Sequence, residues 1–384
     1  MVPACPLADA PATRRNILVL NAGSSSQKLA LFAAEAGAGE VPAPVWEQTI
    51  ERTNDAGNAV AEALRQLISS GTVLHAVGHR VVHGGRDYRE TTRISPEVVA
   101  AIERLSPLAP SHNPQSLAGI AAVTQLFGEG MPQFAAFDTA FHATLPDAAA
   151  IYGLPYALWE DGIRRYGFHG ISYRYCAERA AQLLARDDLR LVSCHLGNGC
   201  SVAAIRNGVS VDTTMGFTPM DGLMMGTRSG SVDPGILLHL LRDRHETPEH
   251  LTTLLNKESG LKGISGVSGD MRDVATAAEA GNARAQLAFA AFVHRLRFHI
   301  GAMLPALGGL DALIFTGGIG EHSAAVRAAA CDGLGFLGVQ LDAAKNAAIL
   351  GGDADVAAGD SPVRVLALTT REDAAIARDC AGLL

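Results

Sequence analysis

Apolar residues along this chain follow two spacings. Mostly apolar runs of strand length occur at Ile17–Leu20, Val73–Val82, Phe134–Phe137, Leu191–Cys194, Asp311–Phe315 and Val363–Leu368. Elsewhere apolar positions recur every three or four residues. Val60, Ala63, Leu64, Leu67 and Ile68 predict a helix over 58–70 stopped by Gly71, and a long helix is predicted over roughly 273–304. A helix over 323–330 follows the run ending at Phe315, and another opens at Thr369–Asp373 with Glu372 in its first turn.

Two stretches repeat one pattern of strand, small-residue turn and strand. In the first, Asn16–Phe32, the turn Asn21–Ser26 holds Gly23 and three serines, and Lys28 stands at its rim as the second strand begins. Backbone N–H groups, hydroxyls and one cation gathered in a turn suit an anion. No G-x-x-x-x-G-K-[ST] pattern occurs, so this loop belongs to a hairpin and not to a helix N-terminus. The second stretch, HLGNGCSVAAI from His195, aligns Gly197 with Gly23 and predicts an internally duplicated, two-domain fold.

The chain has 384 residues, 48% of them apolar and 18% charged, enough for two cores. Its formal net charge of −8, with no Lys/Arg run longer than Arg14–Arg15 or Arg164–Arg165, argues against a nucleic-acid surface. An anionic substrate therefore depends on a few placed cations. Cys5, Cys176, Cys194, Cys200, Cys331 and Cys380 show no C-x-x-C spacing, which fits a reducing compartment. Residues 1–15 lack the apolar stretch of a signal peptide and read as a loose extension. No window of about 20 apolar residues is apparent, so a cytoplasmic protein without a membrane anchor is expected.

Several polar residues punctuate this pattern. Arg80, in GHRVVHGG, lies between apolar neighbours and is either an ion-pair partner at a sheet end or an anion ligand. Leu105–Gln115, with three prolines, is an irregular loop. Asp138 follows a buried strand, the place where α/β proteins put catalytic groups and also where Asp caps a turn. In YGFHGIS, Gly167 and Gly170 free the backbone to aim Phe168 and His169. Asp212–Gly230, rich in glycine and methionine with the single cation Arg228, is too long and irregular to be an idle loop. Asp311–Phe315 runs into TGGIGEHS, an order that presents free N–H groups at a helix start. Gly333-Leu-Gly335-Phe-Leu-Gly338 satisfies G-x-G-x-x-G, yet it follows a predicted helix and so lacks the dinucleotide-binding context.

Taken in order and spacing, NAGSSSQK, GHRVVHGG, FDTAFH, YGFHG, HLGNG, DTTMGFTP, GTRSGS and TGGIGE closely resemble the acetokinase family of acetate kinases, within the superfamily of acetate and sugar kinases, actin and heat-shock chaperones. The resemblance implies an α/β fold of two ribonuclease H-like, actin-like ATPase domains with an interdomain active-site cleft. One would span 16–145 with 370–384, and the other, nucleotide-binding, 146–369. It also implies a homodimer and reversible transfer of the γ-phosphoryl group of ATP to acetate, giving acetyl phosphate and ADP with Mg²⁺, or Mn²⁺ in its place.

By the same resemblance Asn21 and Glu372 are magnesium-associated, Lys28 is a nucleotide contact, Arg80 binds the substrate, Asp138 is catalytic, and His169 with Arg228 stabilises the transition state. The nucleotide segments are His195, Leu196, Gly197, Asn198 and Gly199; Asp270, Met271 and Arg272; and Gly317, Gly318, Ile319, Gly320 and Glu321. Acetate is already an anion, so Asp138 is expected to hold Mg²⁺ or its waters, or to orient a neighbouring Arg or His, and not to act as a base. Three positions depart from the family pattern. Ser111 stands where an apolar residue is common, which opens propionate as a second acceptor; Tyr173 replaces a common His, and Arg371 a common Asn. An actin-like or chaperone-like conformational ATPase would leave Arg80, His169 and Arg228 without an acceptor to serve. A sugar kinase would need a carboxylate base and several hydroxyl-binding groups, whereas Arg80 suits a carboxylate.

Overall fold

The structure is a computed structural model that describes residues 14–23, 26–35, 43–51, 56–69, 71–349 and 351–384. Most of the predicted N-terminal extension, and Ser24 and Ser25 of the first turn, lie outside the described residues. The chain divides into two compact units, Met1–Ala140 with Arg371–Leu384, and Phe141–Thr370. Phe141–Leu145, expected in the first unit, group with the second because His142 is tied there to Ser210 and Phe168.

The first unit holds β1 (Arg15–Ala22), β2 (Ser26–Ala34), β3 (Trp46–Glu51), β4 (Ala76–Val81), β5 (Thr92–Arg93) and β6 (Gln133–Phe137), in the order β3-β2-β1-β4-β6-β5. β1, β2 and β3 are antiparallel, β4 and β6 run parallel to β1, and β5 is an antiparallel edge. Ile17, Leu18, Val19 and Leu20 are all buried because both faces of the sheet are covered. Leu18, Leu20, Leu29 and Leu31 meet Val60, Leu64 and Leu67 of the helix Ala56–Ser69 on one face. On the other lies the helix Glu372–Gly382, so close to β4 that a Cβ on Gly78 would stand 2.6 Å from Ile376 Cγ2 and 2.8 Å from Cys380 Sγ.

The second unit holds β7 (Arg190–Leu196), β8 (Cys200–Arg206), β9 (Val209–Thr213), β10 (Ala312–Thr316), β11 (Ala354–Asp355) and β12 (Arg364–Ala367), ordered β11-β12-β10-β7-β8-β9. Its pairing repeats the first sheet strand for strand: an antiparallel trio β7-β8-β9, then β10 and β12 parallel to β7, then an antiparallel edge. The hairpin echo between Gly23 and Gly197 thus marks the same corner of two like sheets.

Three local readings change. The helix predicted over 273–304 is two, Met271–Glu279 and Ala283–Leu307, because Gly281 at φ +89° ends the first and Asn282 caps the second. The glycine turn after β10 is itself helical, Gly317–His322, and Ser323 caps a further helix, Ala324–Cys331. By length and composition alone, Ala283–Leu307 is apolar enough to cross a bilayer, contrary to the sequence reading. It buries Ala285, Ala288, Phe292, Leu296, Ile300, Met303 and Leu307 along one stripe, the pattern of a core helix.

Candidate active site

In the first unit the strand ends gather charge. Arg80 lies near the C-terminal end of β4, and Asp138 directly follows β6, the parallel neighbour. Arg80 donates from Nε to Asp138 Oδ1 (2.9 Å) and from one terminal nitrogen to Oδ2 (2.6 Å), a two-point grip on a carboxylate that is 1% exposed. Its other terminal nitrogen donates to Asn21 Oδ1 at 3.2 Å, and Glu372 Oε2 is 3.9 Å from Nε. Among the described residues one N–H on each terminal nitrogen remains unspent. Burial works against the Arg80 charge, but Asp138 and Glu372 outweigh it and raise the guanidinium's pKa.

Asn21, at the end of β1, pairs across the hairpin with Lys28 and donates to Asp373 Oδ1 at 2.6 Å. Lys28 Nζ reaches Glu47 (3.1 Å) and Asp373 (3.5 Å), and these carboxylates overcome partial burial to raise its pKa. Glu372 Oε1 is buried with no hydrogen-bond partner among the described residues. The first unit therefore brings Asn21, Lys28, Arg80, Asp138 and Glu372 into one network. Asp373 joins them and was not singled out from sequence; the adjacent acids in TREDA at a helix start were its only signal.

In the second unit Gly167, at φ +73°, makes the bend before the helix Gly170–Leu184, and a Cβ there would be 2.6 Å from His142. His169 itself takes the left-handed conformation at the helix N-cap, φ 59°, whereas Gly170 begins the helix and needs no special freedom. His169 stacks on His195 with ring centres 4.0 Å apart. Each imidazole is held at Nδ1 by a serine, His169 by Ser201 and His195 by Ser172, both at 2.8 Å. Thr370 Oγ1 donates to Ser172 (3.0 Å), and Glu321 Oε1 accepts from the backbone N–H of Thr370 and of Gly317.

Arg228 closes the group. It donates to the Pro219 carbonyl at 2.9 Å and has no carboxylate partner among the described residues, so burial lowers its pKa with Cys200 opposing only in part. A Cβ on Gly199 would be 3.4 Å from Arg228 and 3.5 Å from His169 Nε2. That glycine keeps open the space both side chains face. Leu196 is buried in β7, while Gly197, Asn198 and Gly199 form the turn into β8. Gly317 abuts the Leu196 carbonyl at φ +75°, which places the segment Gly317, Gly318, Ile319, Gly320 and Glu321 beside that turn. Asp270 and Arg272 do not join this network through their side chains. They pair with each other at the surface, where Asp270 caps its helix, and Met271 is buried in the core.

Two buried histidines support these corners. His79, beside Arg80, bonds Gln133 at 2.8 Å, and His142 bridges Ser210 and the Phe168 carbonyl next to His169. Burial pushes each down to about 4 from 6.5. The unfolded chain binds their protons first, so their contribution to stability is complete above pH 6.5 and is lost as the pH falls toward 4. Each is worth on the order of 3 kcal/mol at most. Denaturant midpoints at pH 7 and 5 should therefore drop steeply in the wild type and less in His142→Gln.

The model of the acetokinase family matches residues 16–378. The chain belongs to the acetokinase family. Among its acetokinase relatives, an acetate kinase of Gloeobacter violaceus is 54% identical over 398 residues, covering 95% of this chain and 98% of the relative. One from Cyanothece is 53% identical over 402 residues, with coverage of 96% and 98%. Among solved structures, Porphyromonas gingivalis acetate kinase superposes with a TM-score of 0.85 at 38% identity, covering 96% and 100% of the two chains. A propionate kinase from Francisella tularensis gives 0.86 at 37%, with coverage of 95% and 98%. The acetokinase motifs thus carry the polar network of each unit. The hydroxyls of Ser172, Ser201 and Thr370 within it had no signal in the sequence, because serine and threonine acquire such partners only through folding.

Proposed function

We infer that this chain transfers the γ-phosphoryl group of ATP reversibly to acetate, giving acetyl phosphate and ADP. The observation that carries this reading is Arg228: a partly buried guanidinium without a counter-ion among the described residues, beside His169 Nε2 and a glycine that leaves room for an anion. Phosphoryl transfer spreads charge over three equatorial oxygens, and preset cations and N–H donors lower its barrier without rearranging. Arg228 and His169 take that role. Arg80 binds the acetate carboxylate through its two unspent N–H groups while Asp138 keeps its plane fixed. Lys28, the His195–Gly199 turn and the Gly317–Glu321 segment hold the nucleotide, and Asp270–Arg272 contributes through its backbone groups.

The residues of the first unit fit Mg²⁺, with Mn²⁺ as a substitute. Among the described residues Glu372 Oε1 is a buried carboxylate oxygen without a hydrogen-bond partner, and Asn21 Oδ1 accepts one hydrogen bond, from Arg80. No cluster of three acidic, His or Cys ligands occurs among the described residues, which suits an ion that keeps its waters and leans on one or two protein oxygens and the phosphates. When bound, the ion would neutralise phosphate charge. Glu372→Gln is expected to raise the Mg²⁺ concentration for half-maximal rate about tenfold while leaving KM for acetate unchanged; equal Mg²⁺ dependence would remove Glu372 from this role.

A hydroxamate assay of acyl phosphate formed from ATP and Mg²⁺ tests the reaction. Acetate-dependent product supports it; ATP hydrolysis indifferent to any acid would point to a conformational ATPase instead. Propionate is the second acceptor to compare, favoured by Ser111 in the loop before the helix Asn113–Phe127, since one methylene discriminates by only about 1–3 kcal/mol. The five described cysteines are all buried, in keeping with a cytoplasmic enzyme. A homodimer is supported by the helix Pro234–Arg242, which buries none of its residues and leaves Ile236 and Leu238 about half exposed. Sedimentation should give a dimer in the wild type and a monomer after Ile236→Asp with Leu238→Asp.

A further inference from the structure

The geometry points to Tyr173 as a positioning residue that acts through Ser201 to fix the tautomer of His169. This deepens the reading of His169 as a donor to the transferred phosphoryl group, and rests on it. Tyr173 lies four residues beyond His169, fully buried on the inward face of the helix Gly170–Leu184. Its hydroxyl is 2.5 Å from Ser201 Oγ, and Ser201 Oγ is 2.8 Å from His169 Nδ1.

The direction of the protons along this line follows from counting partners. The backbone N–H of His195 donates to the phenol oxygen, an interaction that favours negative charge there. Burial nonetheless dominates and pushes the phenol's pKa well up, so it stays protonated. The phenol's own proton then has Ser201 Oγ as its acceptor. Ser201 is fully buried, and its hydroxyl bonds Tyr173 and His169 among the described residues, so once it accepts from the phenol its single proton goes to His169 Nδ1. An imidazole that accepts at Nδ1 carries its proton at Nε2 when neutral. Nε2 is the nitrogen that faces the space beside Gly199 and Arg228.

The ring of Tyr173 also packs edge-on against His142, the histidine whose bond to the Phe168 carbonyl fixes the turn before His169. One side chain therefore sets both the orientation and the proton position of its neighbour. A histidine at 173 could do the same only in one of its own tautomers, whereas a phenol at neutral pH has a single arrangement.

Tyr173→Phe keeps the packing and removes the proton donor; Ser201→Ala removes the link itself. Long-range ¹H–¹⁵N spectra at pH 8, with His169 assigned by comparison with His169→Gln, should show one tautomer in the wild type, protonated at Nε2. In both variants the Nδ1-protonated form should appear. Steady-state assays should show kcat lowered about fivefold to tenfold in Tyr173→Phe, the size of one neutral hydrogen bond, with KM for acetate and ATP unchanged. A wild-type tautomer signature in both variants would overturn the assignment. A tautomer shift with unaltered kcat would uphold the relay and instead sink the reading of His169 as the phosphoryl donor contact.

Discussion

Arg228→Ala is expected to lower kcat by about 10³-fold or more while KM for acetate and ATP changes little. The guanidinium is partly withdrawn from water, donates to a single carbonyl, and meets no carboxylate among the described residues. A cation held this way is costly in the resting protein and becomes useful only as negative charge moves next to it. Its removal should leave the melting temperature unchanged or slightly higher, because no ion pair is broken. Arg228→Lys should recover little, since a point charge on a flexible stem cannot keep the Pro219 contact and face the phosphoryl oxygens together. Steady-state kinetics and thermal melts on the same samples decide this. A raised KM at unchanged kcat would make Arg228 a ground-state ligand.

Arg80→Ala should act differently, raising KM for acetate by about 10²-fold and lowering stability by about 3–5 kcal/mol. Arg80 has already committed three N–H groups to Asp138 and Asn21, so deleting it takes a two-point partner from Asp138, which is 1% exposed, and the nearby cation from Glu372. Asp138→Asn separates the two roles open to that carboxylate. If Asp138 orients Arg80, the amide turns an acceptor into a donor facing the guanidinium, so KM for acetate rises and the Mg²⁺ midpoint stays put. A shifted Mg²⁺ midpoint with KM for acetate intact would give Asp138 to the metal instead.

Much of this was legible in the residues before any coordinates, and the reason is local. Strand ends, glycine turns and the cations beside them are written in short contiguous stretches, so β1 with β2, β7 with β8, Arg80 and Asp138 could each be found from a few neighbours. The pairing of Arg80 with Asp138 depends on β4 and β6 being adjacent, which no stretch of sequence states. Tyr173 illustrates the limit: it reads as a departure from a family pattern until Ser201, on a strand distant in sequence, is seen beside its hydroxyl. The break at Gly281–Asn282 was missed for the opposite reason, since apolar spacing on both sides of a short interruption sums to one long helix.

The helix Glu372–Gly382 belongs to the first unit but is encoded after the whole of the second. On the ribosome, β1 through β6 must therefore wait while Phe141–Thr370 is made, on the order of ten to fifty seconds at ordinary elongation rates. Through that interval the groove over Gly78 that Ile376 and Cys380 will fill stays open to water. The second unit is continuous and can mature first. Nascent first units are thus the natural clients of a holding chaperone, and a chain stopped before Glu372 would carry that exposed groove permanently.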